Sequence, residues 1–337
     1  MIDTLCRLRE RLELRGVRTS SIEHLRNKSI LKNLAAEKNI PTAKFCIIDF
    51  AQERSPQAIA DQIDSKVGIY PSFRKPIAGC GSGGGGRLES RADVEEWARR
   101  RIEANDQASY LVEECLSGLE FWACSCLLQS GVVKPLYVIY MERGITMPEY
   151  FKSGRPIPFF AYRFEELEDV FPKLTEFTLD CIDKLKPPHP HPFCVQGWQK
   201  TPGSSDYLLT EVGYRTNGAR GAGISYAASG VSQEVALIQS HCDPDYTAEP
   251  DPNRPSRFQC SLWFTQRKGF LRTFSEVPKV DSSVEIRWLL PLGAELKDAD
   301  CFADFLLALT LQNDTKEGLH KDAKWLADKW RPEISEN

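Results

Sequence analysis

The 337-residue sequence lacks the marks of several large classes of protein. No apolar run is long enough to span a membrane, and the stretch Phe121–Leu128 is only strand-sized. The amino-terminal segment MIDTLCRLRERLELRG is charged and helical in pattern, without the apolar centre of a signal peptide. Neither sign of charge dominates. Lys+Arg 43 against Asp+Glu 47 gives a net charge of −4, which leaves no basic field to hold nucleic acid. The eleven cysteines are scattered, only Cys124 and Cys126 lie close, and there is no C-x-x-C pair. This pattern argues against a disulfide framework and a structural zinc site, and the cysteines read as buried free thiols in a reducing cytosol. There is no G-x-x-x-x-G-K-S/T loop and no dinucleotide fingerprint. Ser82 and Ser125 have no His/Asp arrangement of a hydrolase triad, and no segment repeats.

With 42% hydrophobic residues the chain can build two or three domains with ordinary cores. The pattern predicts a helix over 3–16, then one over about 22–38 capped by Ser20 or Ser21 and stopped by Pro41. Strands follow over 43–50, 72–77, 110–114, 120–128, 132–140, 193–199 and 207–213, with helices over 55–66, 91–104 and 165–186 between them. A polar segment, DYTAEPDPNRPS at 245–256, reads as a linker or solvated loop. Beyond it the pattern predicts short strands at 258–264, 268–274 and 284–290 and helices at about 301–312 and 318–330.

Three features carry chemistry. In FRKPIAGCGSGGGG, residues 73–86, a strand delivers Lys75 into a glycine-rich loop. Glycines let backbone N–H groups approach anionic oxygens and the lysine adds a point charge, although a plain flexible loop has the same composition. In LVEECLSGLEF, residues 111–121, a strand ends in Glu113 and Glu114, turns at Gly118 and reaches Glu120. Such a segment can read an adenine edge with its backbone and ribose hydroxyls with a carboxylate, or be a solvated acidic strand end. In CVQGWQ and LLTEVGYRTNG, at 194–199 and 208–218, a hairpin brings Gln196 and Glu211 onto neighbouring strands. Their oxygens suit a hard cation, and Arg215 suits a phosphate or carboxylate. His189 and His191, in PPHPHP, read as solvent-facing residues of a proline turn rather than metal ligands.

The order of these features resembles the ATP-grasp superfamily over residues 26–225, and is most similar to its biotin-carboxylase-like and carboxylate–amine ligase members. The resemblance implies an α+β chain: an ATP-grasp fold of two α+β lobes, about 26–110 and 111–232, with a small β-rich carboxyl-terminal domain over 233–337. It implies ATP as ligand, with Lys28 and Lys75 on its phosphates and Gly81, Ser82, Gly83 and Gly84 in the loop that folds over them. Glu113 and Glu114 then lie at the hinge beside adenine, Leu116 packs on the base and Glu120 binds ribose. Glu211 bridges magnesium, and Arg215, with Lys75, serves the acyl-phosphate-forming end. Two positions depart from the family pattern. Gln196 stands where a metal-binding Asp or Glu is usual, and Gly213 where many members have Asn. The expected metal set is thus Glu211 with Gln196, holding magnesium more weakly, or manganese. Residues 1–21 read as the last helix of a pre-ATP-grasp domain that the chain lacks, as in a truncated product, an isoform or a gene fragment. The implied function is a cytoplasmic ATP-dependent carboxylate–amine ligase whose acid and amine are not named by the sequence. The alternative is a catalytically impaired pseudo-ligase or interaction protein, and in neither case is nucleic acid or membrane a partner.

Overall fold

The computed structural model describes residues 2–77, 84–141, 150–151, 153–218, 221–253, 257–301 and 304–335. The chain opens with α1 (Ile2–Arg11) and a short α2 (Thr19–Ile22), then α3 (Lys28–Glu37). The expected single helix from residue 22 is interrupted because Asn27, not Ser20 or Ser21, is the cap: its Oδ1 accepts from the Ser29 and Ile30 amides. Lys28 therefore begins α3, and Lys32 follows one turn later on the same face.

β1 (Phe45–Asp49), β2 (Ser72–Pro76), β3 (Gly86–Leu88) and β4 (Ser109–Glu114) form an antiparallel sheet in the order β1-β4-β2-β3. Helices α4 (Pro56–Lys66) and α5 (Arg91–Glu103) cover one face of it. Both helices start on a serine that accepts an amide two or three residues into the helix, Ser55 from Ala58 and Ser90 from Asp93. The core beneath them is pinned by Phe50, Trp97 and Tyr110, whose rings meet edge to face at 5.2 to 5.7 Å.

The second sheet is larger. β5 (Leu119–Leu127), β6 (Val133–Tyr140), β7 (Ile157–Tyr162), β8 (His191–Gln199), β9 (Tyr207–Gly213), β10 (Phe258–Thr265), β12 (Ser283–Trp288) and β14 (Phe305–Asn313) run in the order β12-β14-β10-β7-β6-β5-β8-β9. β11 (Gly269–Phe270) and β13 (Glu295–Leu296) make a separate two-stranded ribbon. One face of the large sheet packs against α3, α6 (Leu174–Leu185) and α9 (Lys316–Lys329), through residues such as Phe121, Leu209, Ile182 and Leu326. The other packs against α7 (Gly221–Ser229) and α8 (Gln233–Cys242).

The expected helix over 301–312 is overturned, because 305–313 is strand β14. Leucine is a good helix former, and FLLALTLQN shows no alternation because both faces of this strand are buried, Leu309 and Leu311 on one and Ala308 on the other. The sequence reading does not anticipate β7 either. All six of its residues are buried and it contains Pro158, two features that hide a strand. The helix expected over 165–186 is shortened to α6, preceded by a 3₁₀ turn at Phe164–Leu167 and Pro172.

The two sheets meet at residues 115–118, which join β4 to β5. Gly118 has φ +125°, and a Cβ there would lie 2.0 Å from the Gln199 carbonyl oxygen at the end of β8. Gly118→Ala is expected to cost at least about 2 kcal/mol in urea unfolding, from left-handed strain plus the clash. A midpoint equal to that of the parent chain would show that the linker is not held where the structure puts it.

Candidate active site

Strand alternation sorts β4. Tyr110 and Val112 enter the core under α4 and α5, so Leu111 and Glu113 face the other way. β2 pairs with β4 through Phe73↔Glu113 and Lys75↔Leu111, which puts Lys75 on that same face, diagonal to Glu113. Arg74 points the opposite way, with its guanidinium over the Trp97 ring at 5.5 Å.

Glu113 is buried and bonded on both sides. Its Oε1 is 2.5 Å from Lys32 Nζ and its Oε2 is 2.7 Å from Lys75 Nζ. Burial pushes the Glu113 carboxyl up, but Lys32 and Lys75 outweigh it and hold the pKa at about 2. Lys32 is 0% exposed and also donates to the Leu209 carbonyl at 3.0 Å. Burial lowers its pKa, against the pull of Glu113. Lys75 is desolvated too, but Glu113 and Glu211 together carry its pKa above the usual lysine range.

Glu211 comes from β9. Its Oε1 lies 3.3 Å from Lys75 and 3.9 Å from Lys28, and its side chain is 35% exposed. Across the ladder it faces Gln196. Gln196 Nε2 donates to Glu120 Oε1 at 2.7 Å, and the Gln196 carbonyl accepts from Thr210 Oγ1 at 3.0 Å. Burial, helped by Glu211, raises the Glu120 pKa to about 7, although Gln196 and Lys75 pull it down.

Of the sequence-derived site residues, Lys28, Lys75, Glu113, Glu120, Gln196 and Glu211 therefore form one contiguous group. Glu113 does not stand open at the hinge, since its carboxylate is used up by two lysines. Glu114 accepts from the Lys44 amide at 3.1 Å, and Leu116 is half-buried in the linker. Arg215 is exposed and its guanidinium donates to the Thr216 carbonyl at 2.9 Å, apart from the lysine–carboxylate group. Gly81, Ser82 and Gly83 lie outside the described residues. Gly84, with φ +76°, is held by Arg74, which donates to its carbonyl at 2.9 Å. Sequence reasoning missed Lys32, although its i, i+4 spacing from Lys28 in NKSILK was the available signal. Among the described residues, the only three His, Cys or carboxylate ligand atoms lying within 4.8 Å of one another belong to Asp300, Cys301 and Asp304. There Lys297 already occupies Asp304 at 2.9 Å.

No family model and no curated protein matches the sequence. Solved structures do match the fold. The L-amino acid ligase of Bacillus licheniformis aligns with a TM-score of 0.75 at 17% identity, covering 98% of this chain and 78% of that one. The carboxyaminoimidazole ribonucleotide synthase of Aspergillus clavatus, complexed with ATP, gives 0.68 at 14% identity over 98% of this chain and 80% of that one. The biotin carboxylase domain of the 2-oxoglutarate carboxylase of Hydrogenobacter thermophilus, with MgADP and bicarbonate, gives 0.65 at 13% identity over 99% and 72%. The chain has the ATP-grasp fold. In the ATP-grasp frame the lysine–carboxylate group lies where the four-stranded and eight-stranded sheets face each other, contributed by α3, β2, β4, β5, β8 and β9. No described helix is long and apolar enough to cross a membrane.

The Glu120 and Glu113 shifts give opposite signs. A carboxyl raised in the folded state contributes stability that is present below its unfolded value of 4.5 and is lost as pH rises through about 7. A depressed one, Glu113, contributes stability that is present above 4.5 and is lost as pH falls through about 2. Glu120→Gln keeps an acceptor for Gln196 and cannot ionise. Relative to this variant, the parent chain is expected to lose urea resistance between about pH 5 and about pH 8. Parallel profiles would overturn the placement of Glu120.

Proposed function

We propose that the chain binds ATP between its two lobes, about 26–110 and 111–232, and uses it to join a carboxylic acid to an amine. The observation that carries this reading is the convergence of Lys28 and Lys75 on a half-exposed Glu211, beside a buried Glu113 that fixes Lys75 in place. Three ammonium groups meet two ionised carboxylates there when Glu120 holds its proton, so the group carries a net positive charge and attracts phosphate. Incoming phosphate oxygens would draw Lys28 and Lys75 away from Glu211 and leave its carboxylate free.

The donor set fits a hard divalent cation: Glu211 is exposed enough to reach, and the Gln196 amide, anchored through its nitrogen on Glu120, keeps its oxygen as a neutral ligand. Glu211 and Gln196 would hold magnesium, which when bound neutralises polyphosphate charge. The chain's own residues do the rest. Lys28 and Lys75 hold the phosphates, a role the glycine-rich segment ending at Gly84 would share. The backbone at 113–116 and Leu116 receive adenine, and Glu120 receives ribose. Arg215, exposed and bonded to the Thr216 carbonyl, would turn toward the carboxylate being activated. In the reaction a carboxylate oxygen takes the terminal phosphoryl group and ADP leaves. The amine then displaces phosphate from the acyl carbon. The Bacillus licheniformis protein is a ligase of amino acids and the Aspergillus clavatus protein is complexed with ATP, which supports this class of reaction.

ATP with magnesium is expected to raise the melting temperature, since a ligand at a hundredfold excess over its Kd stabilises by about 2.7 kcal/mol. Lys75→Met is expected to abolish that increment. An increment equal in both chains would sink the assignment of the phosphate site.

Turnover is read separately. A panel of acids and amines is expected to stimulate ADP release in magnesium. Binding without any stimulated release would instead mark a pseudo-ligase. Gln196→Glu is expected to tighten magnesium binding by about tenfold through the added charge, and unchanged affinity would exclude position 196 from the metal set.

A further inference from the structure

A second cluster of basic side chains lies outside the lysine–carboxylate group. A cavity of about 330 Å³ opens between the end of α1 and the turn after it, the segment entering β8, and the last turn of α8. Arg9, Arg18, His189, His191 and His241 line it, and among the described residues no acidic side chain does. Glu10, beside Arg9 in sequence, is used elsewhere, its Oε1 accepting from the Thr19 amide at 2.7 Å. No carboxylate among the described residues lies within ion-pair distance of Arg9 or Arg18.

The pocket is built rather than incidental. Arg9 packs over Gly16, which has φ +129° and no side chain. A Cβ there would sit 3.0 Å from the Arg9 Nε. His191 stacks on Tyr214 with ring centroids 3.8 Å apart, and the Tyr214 hydroxyl donates to the Pro188 carbonyl at 2.9 Å. The two proline-turn histidines are not free in solvent as the sequence implied. His189 Nδ1 bonds the Leu128 carbonyl at 2.8 Å and His191 Nδ1 the Pro192 carbonyl at 2.9 Å. A carbonyl only accepts, so Nδ1 carries the hydrogen on each ring, and a neutral ring presents Nε2 as an acceptor, which meets an anion only through an acidic hydrogen of the ligand or after taking up a proton. The three histidines cannot share one metal ion, because their ligand atoms do not close to within 4.8 Å of one another. Burial lowers the His191 pKa, the Pro192 bond opposes it, and His241 and Arg9 lower it further, so the fixed positive charge of the cavity is that of Arg9 and Arg18.

We infer that this cavity binds a compact anion of two or more charges, a phosphoryl compound or a polycarboxylate, through the Arg9 and Arg18 guanidinium groups, with the histidine rings beside it. Its volume falls at the small end of ligand sites. Arginine forks suit phosphate and carboxylate oxygens alike, so the chemistry of the occupant is shared and the probes must separate the two sources.

The test uses the full chain without nucleotide or magnesium, titrated in turn with pyrophosphate and citrate, while the imidazole Cε1–Hε1 resonances are followed by NMR. The chain has five histidines, so two, His24 and His320, serve as internal controls. Saturable shifts of His189, His191 and His241 alone are expected with at least one probe. Pyrophosphate as the tighter probe assigns a phosphoryl ligand, and citrate a polycarboxylate. The Arg9→Ala/Arg18→Ala chain is expected to bind about tenfold or more weakly. No saturation with either probe, shifts shared by His24 and His320, or affinity unchanged by the arginine substitutions would each overturn the assignment. None of these outcomes bears on Lys75 or on ATP, so the two sites fail or stand separately.

Discussion

A carboxylate buried between two ammonium groups holds the two sheets of this protein together. Glu113 on β4 is desolvated, and alone it would be too costly to ionise. Lys32 from α3 and Lys75 from β2 make ionisation favourable by meeting both of its oxygens. Lys32 then extends the linkage into the large sheet by donating to the Leu209 carbonyl. β9 is the edge strand of that sheet, and an antiparallel residue points its N–H and C=O to the same side. At Leu209 that side is the outer one: the N–H donates to Pro41 at 2.8 Å and the C=O accepts Lys32. The edge is thus closed by the segment entering β1 and by one lysine, which removes unpaired backbone that a bare edge would present. Removing either cation would leave Glu113 with an uncompensated share of buried charge, the costliest change the site could suffer.

The same group separates fixed charge from available charge. Glu113 and Lys32 are sealed and serve the fold. Glu211 is reached by solvent, and among the described residues its ion pairs are with Lys28 and Lys75, which an anion could draw off. Lys75 belongs to both sets, bonded to the sealed carboxylate and to the open one. Its position is therefore fixed before any ligand arrives, which is what a phosphate-holding cation requires if binding is not to be spent on ordering a flexible side chain.

Much of this was legible in the sequence, and what was not has identifiable causes. The four strands of the small sheet alternate or end in clear breakers, and β1, β2 and β4 follow from pattern alone; β3 has only three residues, too few to show a period. In the large sheet β5, β6, β8 and β9 are readable because each keeps a polar face or a turn residue. β7 and β14 are not, since strands buried on both faces lose the alternation on which the reading depends. At the site, residue order brought Lys75, Glu120, Gln196 and Glu211 to notice. Lys32 escaped because a lysine among apolar residues on a helix reads as a solvated position, and only the carboxylate of a strand some eighty residues away in sequence makes its burial possible. The roles of His189 and His191 could not be seen for a similar reason. Their partners are backbone carbonyls and a tyrosine ring, which leave no sequence signature.

Gln196 shows how a substitution changes meaning once its neighbours are known. In sequence it is a missing carboxylate. In the structure its amide nitrogen satisfies Glu120, whose own proton is held by burial up to about pH 7. A carboxylate at 196 would put a second acceptor against Glu120 and a third anion near Glu211, with only Lys75 and Lys28 at hand and Lys75 already shared with Glu113. Such a triad is stable only with a cation or further protons bound. Glutamine removes that requirement: it donates where a carboxylate would repel, so the group is balanced before any metal is present. The loss of charge at this position is therefore also a gain in stability of the empty site, and the same residue that weakens a metal set lets the lysine–carboxylate network assemble without one.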